Sequence, residues 1–359
     1  MRIGGQTLSR SEVVSLVGDI GQLASVTWLS YEDGVARGSR LLQVRAAGGI
    51  SFDVLVDRGL DIGWAEVGGA PLAWRTPHGP TAPTYAEPDG DGWARTFGGG
   101  LLTTCGMTSI GAPAIDGDEH LGLHGRVSNL PADEVSYSLE WNADDLDILI
   151  KGRVTETNLG GPTLERRREI RTRVAIAELD IRDVVTNTGA VDAAHMYRFH
   201  ANFGFPFLQP GDEICEAGEL VGCRSDAPVS THPWTTIVNP TTDARPEVLN
   251  VAPQPADGDA TKASVSVARP GFAPHLVLGW SRDTLPMLVV WKHQQTRTNV
   301  LALEPSTARD EGRPSARRPS ARRTGELITL HPDQSRSYRL HLRCEPTPRP
   351  NRPTRDETR

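Results

Sequence analysis

His200 and Asn202 stand two residues apart in Tyr197-Arg-Phe-His-Ala-Asn-Phe-Gly-Phe-Pro206. On a strand they share one face, with Phe199, Phe203 and Phe205 on the other. A polar pair in an aromatic stretch suits a sugar, whose ring faces stack while its hydroxyls hydrogen-bond. Glu304 closes the apolar run Leu301-Ala-Leu-Glu and precedes Pro305. Such a carboxyl is either turned outward at a strand end or desolvated, and desolvation moves its pKa toward the range useful for proton transfer. In His120-Leu-Gly-Leu-His124-Gly-Arg126 the two His and the Arg would share one strand face. That face could bind a metal, but Arg is a poor neighbour for a cation, and a lone His is more often structural. The apolar positions of Leu55-Val-Asp-Arg-Gly-Leu-Asp-Ile-Gly63 enter the core, so Asp57, Arg58 and Asp61 are paired internally or face a cleft. Gly98, Gly99 and Gly100 permit close backbone approach or positive φ; with no Gly-Lys-Ser/Thr after them they are not a phosphate loop.

The elements that must position these groups read as strands. Val135, Tyr137, Leu139 and Trp141 alternate with Ser136, Ser138 and Glu140, a half-buried period of two. Runs at 146–150, 164–176 and 179–185 follow, the last closed by Asn187-Thr-Gly189. Further strands are expected at 25–31, 41–45, 52–56, 275–280, 287–291, 300–303, 327–330 and 338–343. Leu8 to Val17 is the best helix candidate, capped by Ser9 or Ser11 and stopped by Gly18. With 36 Gly and 27 Pro in 359 residues, the chain favours many short strands over long helices. No alternating strand–helix rhythm appears, which excludes a doubly wound fold and leaves a large antiparallel sandwich.

A net charge of −7 argues against nucleic acid or an anionic membrane as the main partner. The basic tandem repeat Pro-Ser-Ala-Arg-Arg at 314–318 and 319–323 therefore reads as a solvated loop, and 345–359 as a disordered tail. Cys105, Cys215, Cys223 and Cys344 form no C-x-x-C pair, so neither a zinc site nor a disulfide framework is expected. The first ten residues lack the apolar core of a signal peptide, and no run approaches the ~18 apolar residues of a membrane helix. A cytoplasmic protein acting on a small molecule is the expectation.

Five segments, taken in order, resemble the galactose mutarotase-like (aldose 1-epimerase) superfamily, and within it a bacterial aldose 1-epimerase-like branch. They are Val-Asp-Arg-Gly-Leu-Asp-Ile (56–62), Gly-Gly-Leu-Leu-Thr-Thr-Cys-Gly (99–106), Leu-His-Gly-Arg (123–126), His-Ala-Asn-Phe-Gly-Phe-Pro (200–206) and Leu-Glu-Pro-Ser (303–306). The resemblance implies an all-β fold, a single antiparallel β-supersandwich over residues 1–344 with a short N-terminal helix. It further implies a monomer or homodimer whose cleft holds a sugar without metal or cofactor, and an isomerase that interconverts anomers by ring opening. In that family a His protonates the ring oxygen while a Glu removes the proton from the anomeric hydroxyl. By motif, His200 resembles the acid, Glu304 the base, and His124 a second His that orients substrate. Arg58, Arg126, Asn202 and Lys292 are further candidates for hydroxyl or anionic-group contacts, and Arg313 for an approach to the cleft. This chain departs from the family at the acid, where Phe-His-Ala-Asn-Phe-Gly replaces an Asn-His-Ser/Thr-Tyr-Phe-Asn-Leu type of motif. The hydroxyl-binding Asp is Asp226 or Asp283. The same residues also suit another sugar epimerase, isomerase or lyase, a binding protein without turnover, or a metal enzyme using Glu119 with His120, His124, His195 or His200.

Overall fold

The alternation in residues 133–187 becomes an antiparallel meander in the computed structural model, which describes residues 1–224, 232–312 and 317–345. Its strands are Asp133–Asn142, Asp145–Thr157, Thr163–Arg173 and Ile176–Asn187. Ser335–Cys344, Pro274–Ser281, Lys262–Ala268 and Glu213–Cys215 continue them into an eight-stranded sheet. A twelve-stranded sheet packs against it. Its central strands run in the order Met287–His293, Val300–Ser306, Ala193–Phe203, Leu102–Met107 and Asp61–Val67. These neighbours pair antiparallel throughout, which is the expected sandwich.

The inner faces supply the core. Ile148, Ile150, Ile170 and Ile181 from the eight-stranded sheet belong to one apolar cluster with Phe52, Tyr197, Phe199 and Phe203 from the other. Arg168 crosses this layer, bonding Asp183 on its own sheet and Asp61 on the opposite one. The helix Arg10–Leu16 sits where the sequence places it. Ser9 caps it, and Ser9 and Glu12 form the reciprocal capping box.

One expectation changes. Residues 317–323 of the basic repeat belong to a helix, Arg317–Thr324, rather than to a solvated loop. Arg318 pairs with Asp116 at 2.9 Å and Glu119 at 2.8 Å, while Ala321 is fully buried in an aromatic cluster. An apolar anchor and carboxylates contributed by a distant hairpin hold the basic segment down. Residues 313–316, with Arg313, and 346–359 lie outside the described residues. No helix among the described residues is long and apolar enough to cross a membrane.

The glycine triplet does what its composition suggests. Gly99 and Gly100 have φ of +74° and +100°, and an added Cβ would lie 2.6 Å from the Trp74 carbonyl oxygen and 2.7 Å from that of Ile62. Gly100→Ala is therefore expected to lower unfolding free energy by about 2–4 kcal/mol, because strain and a backbone clash coincide. Denaturant titration checks this; an unchanged midpoint would mean the turn relaxes freely.

Candidate functional site

One face of the Ala193–Phe203 strand turns away from the core and carries Arg198, His200 and Asn202, a period of two. Thr103 sits opposite His200 on one neighbouring strand, and Ser306 sits opposite Arg198 on the other. Two residues before Ser306, Glu304 lies on the same face. The result brings imidazole and carboxyl together: His200 Nε2 and Glu304 Oε1 are 3.2 Å apart. Glu304 Oε2 accepts from Arg198 Nη1 at 3.1 Å, and the same nitrogen donates to Asp310 Oδ2 at 2.9 Å. Arg198 Nε also donates to Ser306 Oγ at 3.3 Å. Asn250 holds Asp310 by two bonds, accepting from its backbone N–H at 2.7 Å and donating to its carbonyl at 2.8 Å.

Aromatic rings surround the pair. Phe97 and Trp291 lie edge-on to the His200 ring at 5.5 and 5.7 Å, and Trp93 stacks on Phe97 at 4.3 Å. His124 completes the cluster, 5.8 Å from the His200 ring and 4.7 Å from Trp93. Its Nδ1 accepts the Gly111 N–H at 3.3 Å, and its backbone sits at φ +59°. A non-glycine residue held in this left-handed region costs energy, and such positions concentrate at functional sites. His200 and Glu304 are only 4% and 2% exposed. A cavity of about 270 Å³ lies alongside, with Trp74, Phe97, Thr103 and Arg58 in its walls. It reaches Phe97 and Thr103, the neighbours of His200, but neither His200 nor Glu304 lines it. Phe97 thus touches both, lining the cavity and lying edge-on to the His200 ring at 5.5 Å.

Burial dominates the electrostatics. It pushes the Glu304 carboxyl up to about 8, against the pull of Arg198. Burial, reinforced by the Arg198 charge, brings His200 down to about 3. Burial also holds His124 well below the usual imidazole range, again with Arg198 adding to it. At neutral pH the His200–Glu304 pair therefore carries one proton, resting on the carboxyl. Asp310 behaves oppositely: burial acts to raise its pKa, and Arg198 outweighs that and keeps it low.

Residues 36–344 match the family model described as a domain of unknown function, DUF4432. The chain belongs to that family. A search of curated proteins finds no match. Among solved structures, the DUF4432 chain is similar to a Klebsiella pneumoniae protein provisionally named an aldose 1-epimerase, at 22% identity and a TM-score of 0.79, covering 89% of this chain and 83% of that one. It is also similar to a galactose mutarotase-like protein from Clostridium acetobutylicum, at 12% identity and a TM-score of 0.61, covering 90% and 99%. The fold is thus the galactose mutarotase-like sandwich.

Of the residues named from the DUF4432 sequence, His200, Glu304 and His124 converge. Asn202 lies on the same face, but its Nδ2 bonds the carbonyls of Gly100 and His200, both at 3.0 Å, which ties strand to loop. Arg58 lines the adjacent cavity. Arg126 does not join the cluster: it is exposed, and its charge acts on Glu156 instead. The single strand face assumed for 120–126 does not exist, because the strand Glu119–Leu121 ends and the chain turns through positive φ at His124 and Gly125. Lys292 is also displaced, pairing with Glu247 at 3.3 Å, because its neighbour Trp291 takes the His200-facing side of that strand. Asp283 is exposed in a turn, and Asp226 lies outside the described residues. His195 bonds the Met107 carbonyl and the Tyr338 hydroxyl, and His120 is exposed, so neither meets His200. Sequence reading missed Arg198 and Asp310. Arg198 was accessible, since the alternation that joins 200 to 202 extends to 198.

Proposed function

We propose that this protein interconverts the anomers of a monosaccharide by acid–base ring opening at the His200–Glu304 pair. The observation that carries the reading is the 3.2 Å contact between an imidazole and a carboxyl in a buried, aromatic-walled site. Ring opening needs one group to protonate the ring oxygen while another takes the proton of the anomeric hydroxyl. Both oxygens sit on one carbon, so an acid and a base held side by side match them.

In the resting pair Glu304 holds the proton and His200 is neutral. Glu304 gives its proton to the ring oxygen as His200 receives the hydroxyl proton. The bond from the anomeric carbon to the ring oxygen breaks, and the carbonyl forms. After rotation about the adjacent carbon–carbon bond the steps reverse: His200 returns its proton to the carbonyl oxygen while Glu304 recovers one from the attacking hydroxyl. Each group thus serves as acid once and base once. These roles are exchanged relative to the family assignment, in which the His serves the ring oxygen and the Glu the anomeric hydroxyl, because burial leaves the resting proton on Glu304 rather than on His200.

Saturation-exchange NMR of anomeric signals over a panel of neutral and charged aldoses tests the reading. Exchange above the uncatalysed rate is expected for at least one sugar. Saturable binding with uncatalysed exchange throughout would make this a sugar-binding protein instead. The pair also sets a pH dependence. Only the singly protonated pair is competent, so kcat/KM should hold between about 3 and about 8. Above about 8 Glu304 loses its proton, and the rate should fall roughly tenfold per pH unit. A profile that rises through pH 8 would contradict the assignment.

A further inference from the structure

The cavity beside the pair contains a charge that the ring-opening chemistry does not use. Arg58 is 7% exposed, and its Nη1 donates to the Thr81 carbonyl at 2.8 Å. Among the described residues no carboxylate forms an ion pair with it. The nearest candidate, Asp61, is engaged by Arg168 at 2.9 Å and by the Thr104 hydroxyl at 2.6 Å. Three other buried arginines are matched: Arg168 by Asp61 and Asp183, Arg198 by Glu304 and Asp310, and Arg318 by Asp116 and Glu119. Arg166, also without a carboxylate, is fully buried and donates to the Gly59 carbonyl. Arg58 differs in lining a cavity of about 270 Å³. A buried cation without a counter-ion is costly, and one that faces a ligand-sized space is explained if the ligand brings the counter-ion.

The rest of the wall agrees. Arg75 lies at the exposed rim, and its charge acts on the Tyr31 hydroxyl, which also lines the cavity. Trp74 and Phe97 offer apolar faces on which a sugar ring stacks. Two carboxylates, Asp53 and Asp61, line the same cavity; Asp61 is held by Arg168 and Thr104, and burial pushes the Asp53 carboxyl up, toward the neutral form. The volume is at the low end for ligand pockets, about one sugar ring rather than a chain of them.

We propose that this cavity receives the anionic substituent of the sugar, a carboxylate or a phosphate ester, with Arg58 as its buried contact and Arg75 as its rim contact. The ring would then extend past Thr103, which lines the cavity and sits opposite His200 across the strand pair. The orientation of the ring rests on the anomer reading above; the anion site does not.

The test is calorimetric titration with hexoses, hexuronates and hexose 6-phosphates of matched configuration, with inorganic phosphate as a competitor. At least one charged series should bind about ten- to hundredfold tighter than its neutral counterpart. The preference between series tells carboxylate from phosphate. Arg58→Gln should remove most of that advantage, lowering the affinity for charged sugars by a larger factor than that for their neutral counterparts, and Arg58→Lys should restore part of it. Equal affinity for charged and neutral sugars, or no binding of any charged sugar, overturns the proposal on the wild-type protein alone, whether or not the variants fold. Anomeric exchange on the same samples separates the two readings. Tight binding of a charged sugar without exchange keeps the anion site and removes the ring-opening chemistry. Fast exchange of neutral sugars without charge preference does the reverse.

Discussion

Replacing Glu304 with Gln is expected to lower the anomeric exchange rate by ~10²–10⁴, the range for loss of a positioned proton-transfer group. Gln keeps the shape of the side chain, and its carbonyl can still accept the Arg198 Nη1 bond now made at 3.1 Å. It cannot give up and recover a proton. Because burial keeps Glu304 protonated at neutral pH, the substitution exchanges one neutral group for another. Arg198 also retains Asp310 at 2.9 Å, so the buried charge balance survives. Stability should therefore move by less than about 1 kcal/mol, as measured by denaturant titration. Sugar affinity should be nearly unchanged, and whatever activity remains should lose its alkaline limb near 8. Wild-type exchange rates in a well-folded Glu304→Gln protein would eliminate the mechanism. A variant that fails to fold would show instead that the carboxyl rests ionised and is needed by Arg198.

How far the sequence could be read follows from which forces act locally. Strands that bury one face write a period of two into the chain, and so the strands of the meander from 133 to 187 were legible, though the run 164–176 crosses the turn between Arg173 and Ile176 and 146–150 covers only part of Asp145–Thr157. The same rule links Arg198, His200 and Asn202, because strand faces depend on spacing alone. It fails where the strand ends. Arg126 was assigned to the face of His120 and His124, but a strand of three residues cannot carry positions 124 and 126. Lys292 fails for the opposite reason: its strand is real, and parity puts Trp291 rather than Lys292 beside His200. The aromatic cap was illegible. Trp93 sits on a five-residue helix and Phe97 just beyond it, too short a segment to carry a periodic signal. The helix Arg317–Thr324 was misread because its composition is that of a solvated segment, while its partners Asp116 and Glu119 lie some two hundred residues earlier. Contacts of that separation leave no local trace.

Beneath the site, Arg168 should be the most costly single residue to remove from the core. Its Nε and Nη2 donate to both oxygens of Asp183 at 2.8 and 2.6 Å, and its Nη1 reaches Asp61 at 2.9 Å. Thr104 and the Leu60 carbonyl accept two further bonds, and the Tyr197 hydroxyl donates to Asp183 at 2.5 Å. Arg168→Met fills the same space but leaves two buried carboxylates facing one another, so a loss of about 3–5 kcal/mol is expected. The pH dependence separates this cause from simple loss of packing. In the wild type, burial acts to raise the Asp183 pKa and Arg168 outweighs it, so the folded value lies below the usual one. That stabilisation is present above about pH 4 and is lost as pH falls through the depressed value. Without Arg168 the sign reverses: burial now holds Asp183 above its unfolded pKa, and the variant suffers most at neutral pH and recovers toward pH 4. The stability gap between the two proteins should thus narrow on acidification, and adding Asp183→Asn should recover part of it at pH 7. A gap independent of pH would mean that shape rather than charge is what Arg168 contributes. Because Thr104 and Tyr197 alternate along their strands with Thr103 and Arg198, this buried network ties the strand that carries Arg198 and His200 to its neighbour Leu102–Met107, while Glu304 stands on the neighbour at the other side, Val300–Ser306. An Arg168→Met protein that stays folded should therefore show weaker sugar turnover even though Arg168 lies on the opposite side of the sheet.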